Sequence, residues 1–213
     1  MAMETKGFDV GTLSTNCYVA FCIKSNEAVI IDPGFEESQE AALIFSFIEK
    51  KRLKLKLIIN THGHPDHVCG NEIVKKKYPV PIAVHESDAF MFGESGKKVA
   101  EFFGFDHSSP PPDILLHDKD VVKFGDIVLR VVHTPGHSAG SVVLVGEKEV
   151  FSGDTLFEGS IGRTDFPWSS ELDMKFSLKK LSELPDNLVV FPGHGPKTII
   201  GQEKRFNPFM QLL

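Results

Sequence analysis

Four side chains able to bind a metal ion fall within six residues in the stretch Thr61-His62-Gly63-His64-Pro65-Asp66-His67. Imidazole offers a neutral nitrogen lone pair and aspartate a hard anionic oxygen, a mixture that suits zinc or another first-row ion. Packed this closely with no cation, such groups repel one another or compete for solvent. Three more donors share one local setting, just past an apolar run and beside a glycine. These are His137 in Thr134-Pro135-Gly136-His137, Asp154 in Ser152-Gly153-Asp154, and His194 in Pro192-Gly193-His194-Gly195. Asp32, in Ile31-Asp32-Pro33-Gly34, has the same setting and is read as a carboxylate that orients a histidine. His107 and His117 read as ordinary loop or core histidines, and His85 and His133 as neighbours of the site rather than ligands. The cluster is compatible with one ion or with two.

Such donors need rigid elements behind them. Short β-type runs alternate with helical ones along the chain. Cys17–Ile23 and Ala28–Ile31 read as a strand pair turning at Ser25-Asn26. Ala41, Ile44, Phe45 and Ile48 recur at helical spacing within Glu36–Lys51. Leu55–Ile59 reads as a buried strand leading into the histidine cluster, followed by a helix over Val68–Lys77 and a strand at Pro81–Val84. Residues 86–118 read as irregular, with two short helices and a Pro110-Pro111-Pro112 break. Strands follow at Val121–Phe124, Ile127–Val132, Ser141–Val145 and Val150–Phe151. A helix over Glu171–Leu184 starts after Ser169-Ser170 as cap candidates, and Leu188–Phe191 is a last strand. β-rich stretches in both halves, each joined to helices, suit two packed sheets with helices outside.

The 213 residues are enough for one sizeable core, with ordinary apolar (41%) and charged (24%) fractions. The net charge of −6 argues against a nucleic-acid partner, which calls for a basic face. The basic runs Lys50-Lys51-Arg52 and Lys75-Lys76-Lys77 sit at helix ends, where positive charge suits the dipole. The first ten residues do not resemble a secretory signal, and no apolar run approaches a membrane span. Cys17, Cys22 and Cys69 form no metal-type pair and no even disulfide set. A reducing, cytoplasmic location is expected.

The order His-x-His-x-Asp-His, then His137, Asp154 and His194, resembles the metallo-β-lactamase superfamily. The motif residues from Asp32 to His194 span nearly the whole chain. The resemblance implies an α+β fold, an αββα four-layer sandwich with its metal site at the edge of the two sheets, in a single domain over 1–213. It also implies two metal sites. His62, His64 and His137 would hold the first ion, Asp66, His67 and His194 the second, and Asp154 would bridge both, with a water or hydroxide between.

Within the superfamily, Thr15-Asn16-Cys17-Tyr18, Thr134–Ser141, Gly153–Phe157 and Gly159–Pro167 resemble glyoxalase II-like hydrolases. The last of these, with Asn207-Pro208-Phe209, resembles the short, single-domain bacterial and archaeal forms. Full-length glyoxalase II enzymes carry a C-terminal helical domain that contributes to glutathione binding. Only 19 residues follow His194, so no such domain is expected, and another small thioester or ester fits as well as lactoylglutathione. Cys69 stands where these relatives often have glycine and reads as a small buried residue.

The expected activity is hydrolysis of a small thioester or ester by hydroxide shared between two divalent ions, zinc first and iron or manganese as alternatives. Asp66 and Asp154 are the catalytic carboxylates, acting as ligands. Residues 86–118, with Phe90, Phe92, Phe102, Phe103 and Phe105, are expected to form a lid or wall beside the site. Arg163 is either a contact for a substrate anion or a salt bridge within its loop. The expected partner is a small molecule, with no nucleic acid and no membrane, and a homodimer through the C-terminal segment is left open. The main rival is a mononuclear-iron persulfide dioxygenase, because those enzymes have a similar Gly162-Arg163-Thr164-Asp165-Phe166 stretch.

Overall fold

A computed structural model describes residues 2–106 and 108–213, so His107 lies outside the described residues. The first sheet is built from β1 (Met3–Val10), β2 (Thr15–Cys22), β3 (Glu27–Ile31), β4 (Lys54–Ile59), β5 (Ile82–His85) and β6 (Ile114–Leu116), in that spatial order. The second runs β12 (Thr198–Ile199), β11 (Val189–Pro192), β10 (Glu149–Gly153), β9 (Val142–Val145), β8 (Ile127–His133), β7 (Val121–Phe124). Helices α1 (Ser38–Lys50), α2 (Pro65–Val68), α3 (Asn71–Lys77) and α4 (Gly93–Phe102) belong to the first half. Helices α5 (Glu171–Ser182), α6 (Ile200–Phe206) and α7 (Pro208–Gln211) belong to the second.

Three apolar clusters fill the spaces between these layers. The central one joins the facing sheets through Val29, Ile31 and Ile59 from one and Leu129, Leu144 and Phe151 from the other. A second packs the outer face of the first sheet under Ala41, Ile44 and Ile48 of α1 and Val74 of α3. The third packs the second sheet under Met174, Leu178 and Leu181 of α5 and Ile200 and Met210 of the last helices. The result is the αββα sandwich. Strands β2 and β3 are buried along almost their whole length, because they are covered on both faces. Strand β8 alternates buried and exposed positions over its first five residues, as a strand covered on one face does.

Strand direction decides where the donor loops emerge. β3, β4, β5 and β6 are parallel neighbours, so their C-terminal ends share one edge. In the second sheet β8 and β10 both run antiparallel to β9, and β11 runs parallel to β10. The C-terminal ends of β8, β10 and β11 therefore also share an edge. The two edges are tied to each other: the Val142 N–H donates to the Thr61 carbonyl at 2.8 Å, and the Asn16 N–H to the Gly193 carbonyl at 2.7 Å.

Several elements differ from the sequence expectation. β1 was not anticipated. Its charged Glu4 and Lys6 alternate with Thr5 and Gly7 on an edge strand, which leaves little apolar signal. The expected helix over Val68–Lys77 begins only at Asn71. Gly70 donates its N–H to the Pro33 carbonyl at 2.9 Å, and a Cβ there would fall 2.4 Å from that oxygen, so the chain turns at this close approach. The segment 86–118 holds the two expected helices, a 3-10 turn at Glu86–Met91 and α4, but β6 as well. The C-terminal β12, α6 and α7 are too short to give a periodic pattern. No helix among the described residues is long and apolar enough to cross a membrane.

Candidate metal centre

Every candidate donor sits just beyond the C-terminal end of a strand. His62, His64, Asp66 and His67 follow β4, His137 follows β8, Asp154 follows β10, and His194 follows β11. Three groups of ligand atoms each lie within 4.8 Å of one another: His62, His64 and His137; Asp66, His67 and His194; and His62, His67 and Asp154. Asp154 faces both halves. Its Oδ2 is 3.5 Å from Nε2 of His137 and 3.5 Å from Nε2 of His194, and its Oδ1 is 3.4 Å from Nε2 of His67. Asp66 Oδ2 lies 3.2 Å from Nε2 of His194 and 3.4 Å from Nε2 of His67.

The rings are held from behind. Nδ1 of His67 bonds Asp32 Oδ2 at 3.0 Å, Nδ1 of His137 the Arg163 carbonyl at 2.8 Å, and Nδ1 of His194 the Leu13 carbonyl at 3.1 Å. With the proton on Nδ1, each ring directs its Nε2 lone pair at the cluster. Asp32 also accepts from the Thr61 N–H at 2.7 Å and from the Thr61 hydroxyl at 2.6 Å, which fixes the start of the His62 loop.

Electrostatics fit a cation. Burial, and then the neighbouring imidazoles, hold His62 and His64 well below the ordinary imidazole range, so their nitrogens are neutral and able to ligate. Burial works against charge on His67 too, but Asp66, Asp154 and Asp32 outweigh it and push that ring up to about 10, so its Nε2 carries a proton that a bound cation would displace. Burial raises Asp66, yet His67 and His194 together hold it below the usual carboxylate range. Two carboxylates, Asp66 and Asp154, thus face one buried space, with the charge of Asp32 behind His67, and together they call for positive charge there. Among the described residues, the buried atoms His62 Nε2, His64 Nε2 and Asp154 Oδ1 have no hydrogen-bond partner. His64 instead turns its Nδ1 to the cluster, 2.8 Å from Nε2 of His137, and the unpartnered His62 Nε2 and Asp154 Oδ1 beside it are N- and O-type lone-pair atoms that fit divalent first-row ions.

Other candidates lie elsewhere. The Arg163 guanidinium forms a bidentate pair with Asp165, both bonds 2.9 Å, and lies 4.4 Å from the Phe166 ring centroid. That is the salt bridge within its loop. His85 and His133 stack on each other at 3.9 Å, and His117 pairs with Glu86 and Asp120 at the surface. The Cys69 thiol is buried and donates to the Gly34 carbonyl at 3.2 Å.

Sequence reading missed three neighbours of the centre, Thr15, Leu13 and Phe166. Thr15 donates to Asp66 at 3.2 Å, and Leu13 serves through its carbonyl. Phe103 and Phe166 pack on His64, with ring centroids 4.9 and 5.4 Å from it. Of the expected wall, Phe103 is thus the residue placed against the centre.

Comparison with known proteins agrees with this geometry. The family model of the metallo-beta-lactamase superfamily matches residues 10–194. The hydroxyacylglutathione hydrolase GloC of Haemophilus influenzae is 38% identical over 218 residues, 98% of each chain. The probable metallo-hydrolase YqgX of Bacillus subtilis is 32% identical, again over 98% of each. Among solved structures, BLEG-1 B3 metallo-beta-lactamase superposes with a TM-score of 0.88 at 33% identity, covering 97% of this chain and 99% of that one. TTHA1623, solved in a di-iron-bound form, gives 0.83 at 33% identity, covering 96% and 99%. ETHE1 from Myxococcus xanthus gives 0.80 at 25% identity, covering 96% and 83%.

Proposed function

Because the chain belongs to the metallo-beta-lactamase superfamily, we propose that it is a dinuclear metal-dependent hydrolase of a small thioester or ester, of the hydroxyacylglutathione type. The observation that carries this reading is Asp154, whose two oxygens face both three-residue groups at once. His62, His64 and His137 would hold one ion, Asp66, His67 and His194 the other, with Asp154 shared. Two bound divalent ions supply Lewis acidity toward a carbonyl oxygen and make water nucleophilic near pH 7.

The residues of the chain supply position and shape. Asp32 and the carbonyls of Arg163 and Leu13 hold three rings in the orientation that presents Nε2. The Phe103 and Phe166 rings make an apolar wall beside His64, suited to an acyl group. The Haemophilus hydrolase matches this chain over 98% of its own length, which supports an activity of the hydroxyacylglutathione type.

A second reading is the mononuclear-iron persulfide dioxygenase. The likeness to ETHE1 and the Gly162–Phe166 stretch favour it. One experiment separates the two: metal content of protein purified without added metal, with turnover of S-lactoylglutathione and oxygen uptake with glutathione persulfide. Two ions per chain with thioester turnover is the expected result. One iron per chain, no hydrolysis and oxygen uptake would overturn it.

A further inference from the structure

A buried carboxylate outside the donor set joins the two loops that carry one half of it. Asp88 lies on the Glu86–Met91 turn and is fully buried. Its Oδ2 accepts from the Gly63 N–H at 2.9 Å, between His62 and His64, and from the Ser138 hydroxyl at 2.6 Å, next to His137. Its Oδ1 accepts from the Gly140 N–H at 2.6 Å. The Ser138 hydroxyl also lies 2.7 Å from that of Ser141, so the loop after β8 is bonded within itself as well.

The approach is close on both sides. A Cβ at Gly140 would fall 2.6 Å from Asp88 Cγ, and one at Gly63 would fall 2.8 Å from Met91 Cβ. Burying a lone carboxylate is costly unless donors surround it, and here three donors come from two loops. Asp32 is the counterpart on the other side, bonded to Thr61 and to the His67 ring.

We propose that Asp88 is a positioning residue for the His62, His64 and His137 half of the centre alone. It fixes the loop after β4 against the loop after β8, so its loss weakens one cation site and spares the other. This rests on the dinuclear reading above. Partners that hold ligands in place typically contribute about 10–100-fold in metal affinity.

The test is Zn²⁺ binding by the full chain, measured by competition with a chromophoric chelator in two backgrounds. His194→Ala keeps the His62, His64 and His137 group, and His137→Ala keeps the Asp66, His67 and His194 group. Asp88→Asn keeps the shape but turns an amide N–H₂ toward N–H and O–H donors. The expected result is a loss of about 10–100-fold in the His194→Ala background and none in the His137→Ala background. The Co²⁺ absorption spectrum of Asp88→Asn should lose the bands of one site only. Equal loss in both backgrounds, or no loss in the first, would overturn the proposal. If Asp88→Asn does not fold, Ser138→Ala, which removes one bond of the three, must show the same pattern at smaller amplitude. No substrate enters this measurement. A wild-type chain that holds two Zn²⁺ yet hydrolyses no thioester sinks the thioesterase reading alone, and one that takes up no Zn²⁺ sinks both.

Discussion

The Asp32 carboxylate lies 3.0 Å from Nδ1 of His67, and both side chains are sealed from solvent. Asp32 holds a left-handed backbone, φ 49°, which asparagine also tolerates. Asp32→Asn therefore isolates the hydrogen bonding. Its amide must turn an N–H₂ toward Thr61 or His67, which are both donors. Urea unfolding should show a loss of about 1–3 kcal/mol. Zn²⁺ affinity should fall about 10–100-fold. A variant as stable as wild type and with full affinity would remove Asp32 from the centre.

Gly193 tests how tightly the backbone closes on the donors. A Cβ there would fall 2.1 Å from Asp154 Oδ1 and 2.8 Å from His67 Cε1. Gly193→Ala should lose Zn²⁺ from the purified protein and cost about 1–3 kcal/mol. Gly195 is the control. It has φ +74°, and among the described residues no atom lies within 4 Å of where a Cβ would sit. Gly195→Ala should cost about 1–2 kcal/mol from backbone strain and keep its metal. Equal metal content in both variants would contradict the steric account.

How legible the centre was depended on sequence distance. His62 to His67 announce themselves because four donors in six residues have no common structural use. His137, Asp154 and His194 could be grouped only through their shared strand-then-glycine setting and the family resemblance. The C-terminal ends of β8, β10 and β11, tied to the end of β4 by the bond from Val142 N–H to the Thr61 carbonyl, are what bring them together. Asp88 could not be found this way. It is a lone aspartate in a segment with no periodicity, and its role comes from three donors 25 to 52 positions away. Edge elements such as β1 and β12 were illegible for another reason. Half of a short edge strand faces water, so its sequence resembles a loop.

Cys69 stands next to the donor loop, and its position invites a redox reading. The thiol instead donates to the Gly34 and Phe35 carbonyls. Burial, then Glu36 and Asp66, push it up to about 12. A thiol in that state is unreactive at neutral pH. In folded protein at pH 8, Cys69 should resist iodoacetamide for as long as the fold holds, by peptide mass mapping. Cys69→Ala should keep its Zn²⁺ content and thioester turnover. Loss of either would restore a chemical role for the sulfur.

Phe103 bears on substrate choice if the thioester reading holds. Its ring packs 4.9 Å from His64 and 5.0 Å from Phe166. Phe103→Ala removes apolar surface from the wall, and losing about 1–2 kcal/mol of acyl burial is roughly a tenfold effect. KM should rise about tenfold for thioesters with longer apolar acyl groups and change little for acetyl thioesters. An equal rise for both would make Phe103 a support for His64 rather than a substrate contact.

The acid side of the stability curve depends on a histidine that binds nothing in the centre. His85 stacks on His133 with the planes 12° apart, and its Nδ1 accepts from the Ser87 N–H at 3.3 Å. Nε2 of His133 in turn bonds the Ala139 carbonyl at 2.9 Å, in the loop that carries His137. Burial, then the His133 ring, push His85 down to about 4, against a value of about 6.5 in an unfolded chain. Its folded pKa is depressed, so the unfolded state takes up the proton first. The stability tied to neutral His85 is present above pH 6.5 and is lost as pH falls from 6.5 toward 4. His62 and His64 act in the same direction, so chelator-treated wild type must be compared with chelator-treated His85→Gln, in which they contribute equally. Thermal unfolding midpoints of the variant should fall less steeply than those of wild type below pH 6.5, with the gap widening toward pH 4.5. Parallel curves would mean that the stacked pair carries no proton linkage.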